Sequence, residues 1–156
     1  MRLMLFIVML VFASCEENFK PVPNPAFVYF KVEDPDHANN DSYILALDDP
    51  EDIELAREMV IDPSKRQIVL AEITRSPHIN YYRNRDLINN KDWSWHVAKF
   101  LGFYDMTIEI YDGWPKYVED NYTEWVANTK GTGSNGVIGF WSYVITEEVD
   151  PEELGL

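Results

Sequence analysis

The sequence predicts a single compact α+β domain: a mostly antiparallel sheet of about five to six strands with two helices packed on it. Three observations predict it. Short runs rich in aromatic and β-branched residues recur along the chain, as strands require. Two stretches place apolar residues at helical spacing behind a proline that suits a first helical turn. Finally, a chain of 156 residues with 46% hydrophobic and 14% aromatic content can bury a real core.

The first fifteen residues stand apart from that domain. Met1 and Arg2 are a short positive start, Leu3 to Ala13 is an unbroken apolar run, and small residues precede Cys15, the single cysteine. This is the pattern of an export signal over residues 1–15. The run of eleven residues is too short for a bilayer span, which takes roughly 20. Two processing routes fit. In one, which is favoured, a lipoprotein peptidase cuts before Cys15 and the thiol is lipidated, although Phe12 is an unusual start for such a box. In the other, an ordinary signal peptidase cuts after Cys15. The first gives an outer-membrane or cell-surface lipoprotein and the second a secreted protein.

Either route leaves the domain without a cysteine pair, so apolar burial alone must hold it. Loss of Arg2 takes the formal net charge from −14 to −15. That acidity argues against nucleic acid and against anionic lipid headgroups as partners. Residues 16–26 carry Pro21, Pro23 and Pro25 and read as an extended, semi-rigid tether. Residues 27–146 read as the globular domain and 147–156 as a loose acidic tail.

Within the domain, Phe27–Val32 and Tyr43–Leu47 read as strands paired in a hairpin across a polar turn, Asp34 to Asp41. Asp49 can cap a helix, Pro50 suits its first position, and Glu51 and Asp52 suit its positive end. Ile53, Ala56 and Val60 then share a face with Met59 beside them, and Pro63 ends the helix. Gln67–Ile73 is a third strand, followed by a long polar loop from Thr74 to Asp92. Trp95–Leu101 and Tyr104–Ile110 read as strands joined at Gly102. A second helix runs from Pro115 to about Thr129, with Val118, Tyr122, Trp125 and Val126 on one face and Gly131 as its stop. Val137–Ile145, apolar on both faces, reads as a final central strand.

Most chemical motifs are excluded by context. Gly131 to Gly136 matches G-x-G-x-x-G by letter, but a helix precedes it and a strand follows, the reverse of a dinucleotide site. Asp34, Asp36, Asn39 and Asp41 gather oxygen ligands without the spacing of a calcium loop, so turn formation explains them. Asn40 and Asn121 open glycosylation sequons by letter. His37, His78 and His96 share no metal spacing, and no cofactor is expected. No serine sits in a nucleophile elbow.

The loop from Thr74 to Asp92 is locally basic in an acidic chain. Arg75, His78, Tyr81, Tyr82 and Arg83, with Trp93, Trp95 and His96 after it, form a candidate binding surface for an extracellular or envelope glycan or protein. Arginine and aromatic residues suit that role because they combine contact area with a polar handle. The same composition also suits aromatic pegs that fasten a long loop. Two further readings stay open: a small metal-assisted or acid–base enzyme using His96, Glu109 and Asp112, and a structural envelope lipoprotein.

The order and spacing of several segments carry a resemblance over Phe27 to about Glu148. They are Asp48 to Arg57 (DDPEDIELAR), Ile68 to Pro77 (IVLAEITRSP), Trp93 to His96 (WSWH), Ile108 to Asp112 (IEIYD), Tyr117 to Asp120 (YVED) and Trp141-Ser142. Together they resemble the N-terminal domain of a calmodulin-binding-protein family known from social amoebae, with relatives in bacteria and molluscs. Relatives carry cysteines where this chain has Tyr111 and Gly139, which implies that those positions face each other. The resemblance points to a binding or accessory domain rather than an enzyme. Calmodulin binding does not carry over, because calmodulin grips basic amphipathic helices and both expected helices are acidic.

Overall fold

The computed structural model describes residues 26–36, 41–76, 84–105 and 113–156. The α+β expectation holds. The strands are β1 (Val28–Glu33), β2 (Ser42–Leu47), β3 (Ile68–Thr74), β4 (Arg85–Asp86), β5 (Lys91–Asp92), β6 (His96–Tyr104), β7 (Gly136–Ile138) and β8 (Val144–Val149). The helices are α1 (Pro50–Ile61) and α2 (Pro115–Thr129). β4 and β5 form a small ribbon of their own. The other strands form a six-stranded antiparallel sheet in the order β2-β1-β8-β3-β6, with β7 also paired to β3.

The two helices follow their sequence signals closely. Asp49 caps α1 by accepting the N–H groups of Glu51 and Asp52, and Ile53, Ala56 and Met59 are the buried positions. α1 lies against β8. Arg57 on α1 donates through Nε and Nη2 to both oxygens of Glu148, at 2.9 and 3.1 Å. α2 covers β7, burying Val118 and Trp125, with a non-helical break at Asn121. Gly131 follows it at φ 57, the left-handed conformation that glycine takes without steric cost.

The core lies inside the curl of the sheet. Phe30, Val32, Tyr43, Ile44, Leu45, Ile73, Ile138, Phe140 and Ile145 are wholly buried in it. Each such side chain contributes about 1.5–3 kcal/mol of burial free energy. The curl brings the terminal strands β2 and β6 into contact although they do not pair. Because each step across the sheet reverses direction, β2 and β6 run the same way along this seam.

The structure corrects the sequence reading in several places. The expected strand Val137–Ile145 is broken. A turn closed by Tyr143 N–H donating to the Phe140 carbonyl at 3.2 Å divides β7 from β8, with Ser142 at φ 71. The second half is nonetheless central, as expected, between β1 and β3. The acidic tail is not loose: Glu147 to Val149 are strand, Pro151–Leu154 is a 3-10 turn capped by Asp150, and Leu154 is fully buried. The globular domain therefore extends past residue 146. Gly102 joins no pair of strands; it lies within β6 at φ 139, near where the β3–β6 register shifts. The later part of the expected strand Tyr104–Ile110 lies outside the described residues. The expected loop from Thr74 to Asp92 contains the β4–β5 ribbon.

Candidate functional site

Cys15, His78, Tyr81, Tyr82 and Arg83 lie outside the described residues, as do Glu109, Tyr111 and Asp112. Of the expected surface, Arg75 is exposed. Its guanidinium lies over the Tyr122 ring, 4.2 Å from the centroid, and donates to the Glu119 carbonyl at 3.0 Å. The placement of Trp93 and Trp95 differs from the expected contact patch. They are 6% and 0% exposed, their rings stack with centroids 6.0 Å apart, and Trp93 Nε1 donates to the Ser42 carbonyl at 2.8 Å. They act as pegs because the segment they follow is tied to β2 by buried polar groups. His96 is also buried, at the start of β6 opposite Thr74.

Those ties centre on Asn84 and Asp86. Asp86 is wholly buried, and its Oδ1 accepts the Ser42 N–H at 3.0 Å, the Ser42 hydroxyl at 3.0 Å and the Ile88 N–H at 3.1 Å. Asn89 Nδ2 donates to Oδ2 at 2.8 Å, and Lys91 Nζ stands 3.6 Å away. Burial pushes this carboxyl up, but the hydrogen bonds from Asn89 and Ser42 outweigh it and hold it below the usual aspartate value. Asn84 bridges the seam: its Oδ1 accepts the Ile44 N–H at 2.9 Å and its Nδ2 donates to the Trp95 carbonyl at 2.8 Å. Neither residue stood out in the sequence, because a short polar stretch has no periodicity to flag it.

The exposed aromatic residues lie elsewhere. Trp141 is 60% exposed and Trp114 49%, and Tyr117 is also at the surface. Trp141 occupies the second position of the turn between β7 and β8, ahead of Ser142 in left-handed backbone. A non-glycine residue there carries local strain. A chain of ring contacts runs from Trp114 into the core. Trp114 meets Tyr117 at 5.3 Å between centroids, Tyr117 meets Trp125 at 5.9 Å, and Trp125 meets Phe140 at 5.9 Å. Gly113 fits against the Trp125 and Phe140 rings, where a Cβ would fall 2.6 Å from Trp125. Each exposed tryptophan thus adjoins one member of the Gly113–Phe140 contact. Among the described residues, no three His, Cys, Asp or Glu side chains stand together in a metal-holding group. No described helix is long and apolar enough to cross a membrane.

The model of the N-terminal domain of the calmodulin-binding protein 74 family matches residues 26–152. The chain belongs to that family. The match runs from the start of β1 through β8, so the family unit is the curled sheet with both helices. The calmodulin-binding protein 74 N-terminal domain is of a binding type, which fits non-catalytic binding in general. No curated protein and no solved structure matches the chain. The Gly139 position, where relatives were expected to carry a cysteine, is buried between β7 and the Trp141 turn.

Proposed function

We propose that this member of the calmodulin-binding protein 74 family is a non-catalytic accessory domain, exported and held at the outer membrane or cell surface by lipid on Cys15, that recognises an envelope or extracellular protein. Its contact surface is the aromatic face of Trp114, Tyr117 and Trp141. The observation that carries this reading is Trp141 itself: a large apolar side chain, 60% exposed, displayed on a turn whose next residue is strained. Its display offers a large aromatic anchor of the kind that protein interfaces use. The family supports a protein partner. Residues 16–26, with three alternating prolines, supply a spacer between the lipid and the domain.

The test has two arms. Labelled palmitate should enter the wild-type protein and not Cys15→Ser. Purified domain should capture a defined envelope protein, and Trp114→Ala/Trp141→Ala should lose that capture while keeping the wild-type melting temperature. A glycan array run in parallel separates a carbohydrate ligand from a protein one. Equal capture by wild type and double variant would remove this face as the contact surface.

A further inference from the structure

The seam between β2 and β6 is closed at one end and open at the other. At the closed end, side chains take the place of a strand. Asp86 accepts from the Ser42 N–H, and the Asn84 amide links the Ile44 N–H to the Trp95 carbonyl as a peptide group would. Alternation along β2 aims the backbone groups of Ser42, Ile44 and Ala46 at the seam, and those of Tyr43, Leu45 and Leu47 at β1. Ala46 is the position where the substitutes stop: no described residue pairs with its outward N–H and carbonyl.

At that point the seam opens into a cavity of about 290 Å³. Phe27, Ala46, Leu47, Val97 and Phe100 supply its apolar lining. Asp48, Asp49 and Asp52 line the β2 side, and His96 and Lys99 the β6 side. Asp49 is committed to capping α1. Asp48 is exposed. Asp52, half-buried, has its carboxyl pushed up by burial and then by repulsion from Asp49, Glu51 and Asp48, so an added cation there relieves a standing cost.

We propose that this open stretch is a strand-docking slot that takes an extended peptide segment from another protein, its backbone paired to Ala46 and a lysine or arginine side chain set beside Asp48 and Asp52. Unfilled strand edges bind extended peptides through main-chain hydrogen bonds, with side-chain pockets setting the choice. The lining runs over four residues on one side, Ala46 to Asp49, and five on the other, His96 to Phe100. That accommodates a segment of about four residues at roughly 3.3 Å per residue. The surplus of carboxylates over Lys99 and His96 selects a basic segment. This slot is separate from the Trp114–Trp141 face, so each can fail without the other.

The probe is a fluorescein-labelled peptide of alternating lysine and valine, read by anisotropy with the purified domain. Two controls accompany it: alternating glutamate and valine, and the lysine peptide with alternate backbone nitrogens methylated. The lysine peptide should bind, and methylation should weaken it about tenfold or more. Asp48→Lys should weaken it several-fold, whereas Glu124→Lys, on exposed α2 surface, should not. Amide exchange at Ala46 should slow in the complex. Absence of binding overturns the proposal. So does binding that survives methylation, or that falls equally with Asp48→Lys and Glu124→Lys, since either marks a general attraction to an acidic surface.

Discussion

Asp86 Oδ1 accepts the backbone N–H of Ser42 at 3.0 Å, joining residues 44 positions apart in sequence. The Ser42 hydroxyl donates to the same oxygen at 3.0 Å and accepts the Leu87 N–H at 2.8 Å. One carboxylate thereby satisfies a strand edge, a hydroxyl and the ribbon turn at once. Asp86→Ala would leave these donors buried and unanswered. We expect a loss of about 2–4 kcal/mol, at the charged end of the range for orphaned buried groups. Urea denaturation of wild type and variant measures it, and a change under about 1 kcal/mol would show that water replaces the carboxylate.

The same carboxyl makes stability depend on pH. Its folded value lies below the ordinary one, so its contribution is complete above the unfolded value, about 3.9. It is lost as pH falls through the lower folded value. Melting temperature should therefore decline below about pH 4, and Asp86→Asn should decline less steeply over that interval. Parallel slopes for the two proteins would assign the acid sensitivity to other carboxylates.

Gly113→Ala should destabilise although Gly113 is only half-buried. The added methyl would sit 2.6 Å from two Trp125 ring carbons and 3.6 Å from Phe140. Displacing a packed indole costs about 1–3 kcal/mol. The Trp125 Nε1 hydrogen bond to the Val137 carbonyl, 3.0 Å long, would move with the ring and loosen α2 from β7. Thermal unfolding reports the loss, and hydrogen exchange at β7 localises it.

Leu154 is wholly buried within a segment that the acidic composition had suggested was loose. Leu154→Ala should cost about 2–5 kcal/mol, the usual range for emptying a buried leucine site. A variant ending at Asp150 should lose a similar amount. Wild-type melting in either would return this segment to the status of a tail.

What was legible in the sequence was local. Asp49 with Pro50 marked α1 through a side-chain cap, and Pro115 with Gly131 bounded α2 through backbone preference alone, signals written in adjacent residues. What was not legible depended on distant partners. The run from Val137 to Ile145 reads as one strand, since nothing in its apolar letters shows that Trp141 and Ser142 reverse direction. The brief ribbon at Arg85–Asp92 is set by Asp86 bonding to Ser42, a contact across the fold. Trp93 and Trp95 carried the letters of a binding loop, yet the core took them, while Trp114 and Trp141, outside that loop, remained exposed.

The strand made last, β8, is the one that lies between β1 and β3. Until Val149 has emerged, a growing chain holds two unconnected ribbons, β1 with β2 and β3 with β6, each with a raw edge. Closure of the sheet thus waits on β8, a late and long-range pairing of the kind that slows folding.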